Sequence, residues 1–389
     1  MEYGDNLLDL ALRLRVHLLM EALKASPVPG LEEQAPGVRS LQLRYNSRVL
    51  HQSALIEHLL RLETQLAEVD RLNIPTRVIH LPMAFEDSAT LGAVQRYSET
   101  VRSEAPWLPN NVDFIQRTNG LARREDVRDI LFDASYLVLG LGDVYLDAPC
   151  AVPLDPRHRL LSSKYNPART FTAEGTVGIG GMYLCIYGMD SPGGYQLVGR
   201  TLPIWNRFCR NPQFKDDQPW LLQFFDQVRF YPVTEAELDD FREAFREGRA
   251  SIRIEEEVFD FAEYRHFLEA NEADIAAFQA RQKQAFDAEV MRWRDTDEAL
   301  AADAIQPREE PDDYGDAHVV SAEMCGSVWK ILVQPGESVE AGAPLMVVEA
   351  MKMELAVFAP VSGTVRAVRC QPGKAVVPGD ALMLLDPVA

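Results

Sequence analysis

The chain has 389 residues and a formal net charge of −20, with 47% hydrophobic and 25% charged residues. This length and composition predict two or three ordinary globular domains, and the acidic charge argues against nucleic acid or an anionic membrane as a partner. No run of 18 apolar residues and no signal peptide are present, and the five cysteines show no metal-knuckle spacing. We therefore expect a soluble, cytoplasmic protein without a metal site.

The first 75 residues predict a small α+β unit. Apolar residues recur at helical spacing over residues 6–25, and a second amphipathic helix is expected over residues 53–70. Between them, Leu41–Tyr45 alternates apolar and polar residues, which is typical of a strand. The chain enters its first helix almost at once, so we also expect it to be a piece of something longer.

Residues 76–259 predict a β-barrel, because short strands alternate there with dense turn signals. Thr234 and Glu237 have the spacing of a capping box at the start of a surface helix. The other predicted elements are a strand over Arg77–Leu81 that Pro82 closes, helices over 88–102 and 124–135, and strands over Tyr136–Gly140, Met182–Tyr187, Gln196–Thr201 and Ile252–Val258.

Residues 260–317 predict a long helix followed by a linker. The helix should run from Asp260 to about Asp295. Residues 296–316 hold eight acidic residues against one basic residue, and Pro307 and Pro311 would interrupt any helix there. This composition is typical of a solvated tether between domains, and a charged surface loop within one domain is the less favoured alternative.

Residues 318–389 contain one short unit twice. Gly326-Ser327-Val328 recurs as Gly363-Thr364-Val365, and Gln334-Pro335-Gly336 recurs as Gln371-Pro372-Gly373, both at an offset of 37 residues. Pro-Gly pairs divide each copy into short strands and turns. The duplication predicts a two-fold β sandwich with Lys352 on the hairpin that joins its halves.

The tetrapeptide Ala350-Met351-Lys352-Met353 resembles the attachment motif of biotin carboxyl carrier domains, and the resemblance covers residues 318–389. It implies that a biotin protein ligase joins biotin to Lys352 through an amide, between Met351 and Met353. The acylated lysine would lose its charge and become a neutral tether that visits two active sites. Lipoyl domains share the duplicated fold but usually have Asp-Lys-Ala at this place, so the sequence favours biotin. An ordinary exposed lysine on a turn is the remaining alternative.

Residues 1 to about 265 resemble the allophanate hydrolase subunit 1-like family, in the form found inside urea carboxylases. The resemblance implies a small α/β unit followed by a cyclophilin-like β-barrel. The expected fold class is therefore α+β, with these two units, a long helical linker and an all-β biotinyl/lipoyl-type sandwich. The segments that carry the resemblance are Leu81–Ser88, Ala105–Val112, Lys164–Thr170, Gly178–Gly181 and Ser191–Thr201. The expected domains are 1–75, 76–259, 260–317 and 318–389.

This resemblance implies part of a biotin-dependent carboxylase, a ligase in which carboxybiotin on the carrier delivers CO2 to a nitrogen of urea and gives allophanate. The ATP- and Mg-dependent biotin carboxylase and a first barrel unit would be separate from these residues, so the chain alone is expected to be inactive. Gly178–Gly181 lacks the Lys-Ser/Thr of a phosphate loop. A guanidine carboxylase of the same architecture and a binding or regulatory module of the family are the alternatives. A regulator, however, has no use for a swinging biotin.

Carboxyl transfer needs donors for developing negative charge and a route for a proton. Four residues within six positions of a turn-rich loop suit a carboxylate or carbonyl ligand: Lys164, Tyr165, Asn166 and Arg169. A surface loop whose polar residues satisfy turns is the equally weighted alternative.

Further candidates lie outside this loop. Arg200, beside Gly199 in a strand, is a candidate anion anchor or a structural ion pair. His80 alternates with apolar neighbours and is either a catalytic group or a satisfied core or interface histidine. Gly178–Gly181 would let a backbone approach a ligand closely or would form a tight barrel corner. Asp87 and Asn111 are weaker candidates.

Overall fold

A computed structural model gives the fold of the chain. It describes residues 1–387 except 6, 143–147, 209–210, 216–217, 303–315, 324–325, 351–352, 374 and 377–378, and it describes only the backbone of residues 294–302, 350, 353 and 375. Among the described helices, none is long and apolar enough to cross a membrane.

The first unit packs two helices against a hairpin. Its elements are α1 (Leu10–Ala25), β1 (Leu31–Pro36), β2 (Leu41–Tyr45) and α2 (Gln52–Glu63). Helix α1 begins later than predicted because the Asp9 carboxylate caps it by accepting the Ala11 N–H at 2.8 Å. Strand β1 was not predicted, because its polar run Glu32–Gln34 shows no alternation of apolar and polar residues. Leu19, Leu41 and Leu59 share the core of this unit.

The next unit is built on one large sheet. Its elements are β3 (Asn73–Phe85), α3 (Ser88–Thr100), α4 (Asn111–Thr118), α5 (Glu125–Asp133), β4 (Tyr136–Leu141), β5 (Pro149–Pro153), β6 (Arg169–Thr172), β7 (Thr176–Gly180), β8 (Tyr183–Ile186), β9 (Ser191–Gly193), β10 (Gln196–Arg200), β11 (Gln227–Pro232), α6 (Glu235–Arg246) and β12 (Ile254–Asp260). The strands run in the order β10-β7-β8-β5-β4-β11-β3-β12, and β10 also pairs with β3. This second pairing closes the sheet into the predicted barrel. Strands β6 and β9 form a separate pair beside it.

The structure contradicts the prediction that Pro82 closes the first barrel strand, because β3 continues to Phe85. The antiparallel pairing with β12 stops at Ile79, opposite Ile254. Pro82 lies beyond the end of this pairing, so the backbone N–H that proline lacks is not needed for a hydrogen bond to β12. The predicted capping box is confirmed, since the Thr234 and Glu237 side chains each accept the other's backbone N–H at the start of α6.

The long helix predicted after the barrel is two helices. They are α7 (Phe261–Ala270) and α8 (Glu272–Ala302), separated at Asn271, whose side-chain amide donates to the Phe267 carbonyl at 2.8 Å. Helix α8 extends seven residues beyond the predicted end and into the segment predicted as a linker. Residues 303–315 of that segment lie outside the described residues.

The carrier unit is a sandwich of two four-stranded sheets, with the strand orders β13-β20-β18-β15 and β17-β16-β14-β19. Its strands are β13 (His318–Ser321), β14 (Gly326–Ile331), β15 (Ser338–Val339), β16 (Pro344–Ala350), β17 (Met353–Phe358), β18 (Gly363–Val368), β19 (Ala375–Val376) and β20 (Ala381–Pro387). Strands β14, β15 and β16 recur as β18, β19 and β20 at the 37-residue offset, which confirms the duplicated sandwich. Gly336 and Gly373 end equivalent turns with φ of 90° and 84°, a backbone conformation that favours glycine.

Candidate active site

A cavity of about 180 Å³ lies between the barrel and the carrier. Its barrel wall includes all four candidates of the predicted loop, together with residues of β8, β9 and the turn after β9. Its carrier wall comes from β14, β16 and β17. The lining residues include Lys164, Tyr165, Asn166, Arg169, Tyr187 and Tyr195 from the barrel and Trp329, Glu349 and Glu354 from the carrier.

Backbone hydrogen bonds hold the loop of residues 164–169 against the barrel. Just before the loop, Ser162 and Gly181 exchange two backbone hydrogen bonds of 2.9 and 3.0 Å. Within the loop, the Tyr165 N–H donates to the Gly194 carbonyl at 2.7 Å, and the Asn166 carbonyl accepts from Arg102 Nη1 at 3.2 Å. At its other end, Arg169 begins β6 and pairs with Gly193 of β9, so the loop is anchored at both ends.

Tyr165 is buried, and its hydroxyl is fully used inside the protein. Its ring lies edge-on to Tyr97 at 4.6 Å and tilted against Trp107 at 5.1 Å. Its Oη accepts from Asn111 Nδ2 at 2.7 Å and donates to Asn111 Oδ1 at 2.9 Å. Burial raises the pKa of Tyr165 in spite of the opposing charge of Arg169, so the phenol is neutral.

Arg169 is a buried cation without a carboxylate partner. Its side chain is 1% exposed, and its carbon Cζ lies 4.4 Å from the centroid of the Tyr165 ring. Nη1 donates to the Tyr195 carbonyl at 2.6 Å, and the other nitrogens donate to the hydroxyls of Thr172 and Tyr187 at 3.2–3.3 Å. No ion pair to Arg169 is found among the described residues. A buried charge without a counter-ion is unfavourable, so this position is suited to an anion.

The remaining two loop candidates line the outer part of the cavity. Lys164 and Asn166 are exposed, and Lys164 Nζ lies 4.9 Å from the centroid of the Tyr195 ring. The glycines of β7 make room for this ring, since a Cβ on Gly180 would stand 2.5 Å from Tyr195 Cδ1. The structure therefore favours packing over close approach to a ligand as the reason for Gly178–Gly181.

The carrier wall of the cavity places two carboxylates beside the predicted attachment site. Glu349 and Glu354 are paired across the β16–β17 hairpin. Glu349 is half-buried, and its Oε2 is fully buried without a hydrogen-bond partner among the described residues. Burial and then the charge of Glu354 raise the pKa of Glu349. Met351 and Lys352 lie outside the described residues, as does the side chain of Met353.

The structure does not bring His80 or Arg200 to this cavity. His80 Nε2 lies 2.8 Å from Glu255 Oε2, a hydrogen bond between the neighbouring strands β3 and β12. Arg200 Nε donates to the Glu174 carbonyl at 2.9 Å. Neither residue lines the cavity, because β3 and β10 direct them elsewhere on the barrel. Asp87 is the N-cap of α3, which accounts for its burial.

Asn111, a weaker candidate in the sequence, holds the centre of the site together. It is buried at the start of α4, and its Oδ1 also accepts the Leu197 N–H at 2.8 Å. Asn111 therefore joins the Tyr165 hydroxyl to β10. The available signal was the segment Ala105–Val112, which carries the family resemblance but does not identify the partner of Asn111.

Comparison with known proteins places both units in families. The family model described as carboxyltransferase domain, subdomain C and D, matches residues 1–215. The model described as biotin-requiring enzyme, for biotin/lipoyl domains, matches residues 318–385.

Several relatives are similar over almost the whole chain. Urea amidolyase of Saccharomyces cerevisiae is 46% identical over 363 residues, which cover 93% of this chain and 20% of that protein. A putative urea carboxylase of Emericella nidulans is 34% identical over 376 residues, which cover 92% of this chain and 30% of that protein. The crystal structure of Kluyveromyces lactis urea carboxylase matches with a TM-score of 0.70 and 43% identity, over 99% of this chain and 34% of that one.

The chain thus spans between about a fifth and a third of the length of these relatives. The family models and these relatives match the same two parts of the chain, residues 1–265 and 318–389, from which the resemblance was predicted. The predicted resemblance is therefore confirmed. The chain belongs to the family of carboxyltransferase subdomains C and D, and it carries a biotin/lipoyl domain over residues 318–385.

Proposed function

We propose that this chain is the part of a biotin-dependent urea carboxylase in which the carrier meets the carboxyltransferase and a carboxyl group passes to a nitrogen of urea. One observation carries this proposal. The guanidinium of Arg169 is buried, has no carboxylate partner among the described residues, and lines a cavity whose other wall is the carrier hairpin. The relatives named urea amidolyase and urea carboxylase support urea over guanidine as the substrate. The carrier unit disfavours a purely regulatory role.

The residues at the cavity fit biotin. Glu349 and Glu354 line the cavity and lie three and two positions from Lys352 in the sequence, so the attachment site belongs to the hairpin that reaches the barrel. Tyr187, Tyr195 and Trp329 supply aromatic walls for an apolar ring system. When bound on Lys352, biotin would supply the transferable carboxyl group.

Arg169 is the group best placed to stabilise negative charge that develops during transfer. Its guanidinium is held by hydrogen bonds to Tyr195, Thr172 and Tyr187, so it needs no rearrangement to meet an anion. The hydroxyl of Tyr165 is occupied by Asn111, so we assign its ring as the platform that positions Arg169. Lys164 and Asn166, both exposed, would contact the substrate from the outer part of the cavity.

The complete reaction would require partners in addition to this chain. A biotin protein ligase would load Lys352, and an ATP- and Mg-dependent biotin carboxylase would charge the carrier. A first barrel unit would complete the substrate pocket. We expect this chain, purified alone, to show no urea-dependent ATP hydrolysis, and adding the other units is expected to restore it.

The experiment that tests the function uses the full-length enzyme containing this chain and labelled bicarbonate. Urea is expected to stimulate ATP-dependent incorporation of label into an acid-labile product, and Lys352→Arg is expected to abolish it. Guanidine serves as the competing acceptor. If guanidine and not urea stimulates incorporation, guanidine is the substrate. If the Lys352→Arg enzyme still incorporates label, the carrier takes no part in the reaction.

A further inference from the structure

Helix α8, which leads toward the carrier, contacts three separate supports of the candidate active site. Its barrel-facing side chains recur at helical spacing, which indicates one continuous packed face along the helix. They are Ile275, Phe278, Gln282 and Glu289, all buried, and then the half-buried Trp293.

The first contact supports the start of the site loop. Gln282 Nε2 donates to Asn119 Oδ1 and to the Arg159 carbonyl, both at 2.7 Å. The Asn119 side chain in turn accepts the Leu161 N–H at 2.7 Å and donates to the Leu161 carbonyl at 2.8 Å. Leu161 lies three residues before Lys164, so Gln282 supports the segment from which the loop begins.

The second contact supports the wall behind Tyr165. Glu289 is 2% exposed, and its Oε1 accepts from Arg117 Nε at 3.2 Å. Arg117 Nη2 donates to the Pro106 carbonyl at 2.8 Å. Pro106 directly precedes Trp107, whose ring packs on Tyr165. The position of Glu289 therefore affects that ring through a single intervening side chain.

The third contact is aromatic. The rings of Trp293 and Phe114 are stacked, with centroids 5.3 Å apart and planes 28° apart. Phe114 is fully buried and belongs to the same cluster as Tyr97, Trp107 and Tyr165. It also lies on α4, one turn after Asn111, which holds the Tyr165 hydroxyl.

We propose that Gln282, Glu289 and Trp293 are positioning residues for Tyr165 and Arg169, and that α8 remains on the barrel as far as Trp293 when the carrier moves. The first half of this inference rests on the proposed function of the loop. Swinging α8 away would expose Ile275, Phe278 and Trp293 to water, which is unfavourable. It would also break the hydrogen bonds that Gln282 and Glu289 make to the barrel. Helix α8 up to Trp293 therefore stays on the barrel while the carrier moves.

The test compares Trp293→Ala with Trp293→Phe in the full-length enzyme. Met291→Ala is the matched control, since Met291 lies on the same helix and is 61% exposed. Hydrogen exchange over residues 161–170 is expected to become about tenfold faster in Trp293→Ala and to stay slow in Trp293→Phe and Met291→Ala. The kcat with urea should fall about tenfold in Trp293→Ala, with KM almost unchanged, and Phe should restore it.

Two results would overturn the inference. If Trp293→Ala accelerates hydrogen exchange equally throughout the barrel, Trp293 contributes only to global stability. Exchange over residues 161–170 that stays slow in a folded Trp293→Ala enzyme would show that Trp293 does not position the loop. A third outcome is that hydrogen exchange accelerates in Trp293→Ala as expected while urea stimulates turnover in neither the unmodified enzyme nor the variants. In that case the positioning role stands and the proposed function fails.

Discussion

Asn111 and Tyr165, 54 residues apart in the chain, are joined by two hydrogen bonds, one to Tyr165 Oη at 2.7 Å and one from it at 2.9 Å. The phenol proton is directed to Asn111 Oδ1 and away from the cavity. The face of the same ring lies 4.4 Å from Arg169 Cζ. The ring and the hydroxyl of Tyr165 therefore have separate tasks, which substitutions can distinguish.

Tyr165→Phe is expected to keep the activity within a few-fold of the unmodified enzyme, because the ring under Arg169 remains. It should destabilise the fold by about 1–2 kcal/mol, since the buried amide of Asn111 loses a partner. Tyr165→Ala should lower kcat by at least about tenfold through the loss of the ring. Urea-dependent turnover and chemical denaturation measure the two effects. A loss in Tyr165→Phe as large as in Tyr165→Ala would make the phenol a proton donor in the reaction.

Docking of the carrier is expected to weaken as the pH rises, through Glu349. Burial raises the pKa of Glu349 on the wall of a cavity that the barrel closes, so we expect this pKa to be lower in the free carrier. A carboxyl with a raised pKa in the docked state binds a proton more tightly there. Glu349 therefore contributes fully to docking at pH values below its pKa in the free carrier. This contribution is lost as the pH rises through its pKa in the docked state.

Glu349→Gln should remove this pH dependence and favour docking at neutral pH. The exposed Glu340 of the carrier, which does not line the cavity, provides the matched Gln control. The docked fraction is measured from the distance between spin labels on exposed residues of α3 and of the carrier. A pH profile that Glu349→Gln leaves unchanged would assign the dependence to another group.

Biotinylation of Lys352 is predicted from its place in the duplicated unit. Coexpression with a biotin ligase should add one biotin, seen by intact mass and by streptavidin binding. Lys352→Arg should abolish the addition, and Lys330→Arg, at an exposed lysine of the same unit, should not affect it. Biotin on any other lysine would contradict the assignment.

The duplicated carrier could be predicted in detail because its information is local and repeated. Each strand from β14 to β16 has a copy 37 residues later, and turns with a positive φ at Gly336 and Gly373 separate them. The strands β3, β4, β8, β10 and β12 of the barrel were also predicted, although Pro82 misplaced the end of β3. The effect of a proline depends on which neighbouring strand needs its N–H, and this was not visible in the sequence.

The candidate site was only partly predictable. Lys164–Arg169 formed a cluster in the sequence, and the structure brings all four candidates to one cavity. His80 and Arg200 were singled out by residue type, but they pair with Glu255 on β12 and with Glu174 in the turn before β7, away from the cavity. Asn111, Gln282 and Trp293 act through residues more than 50 positions distant, with no local pattern to reveal them.

Arg169 provides the most direct test of the proposed carboxyl-transfer site. In the full-length enzyme, a single turnover of the charged carrier with urea is followed by transfer of label, and Arg169→Ala is compared with Arg200→Ala at equal biotinylation. Arg169→Ala and Arg169→Lys are both expected to slow transfer by about 10²–10³-fold, since a lysine cannot reproduce the fixed, forked guanidinium. Arg200→Ala should transfer at nearly the normal rate. Normal transfer in a folded Arg169→Ala enzyme, or a large loss confined to Arg200→Ala, would contradict the account.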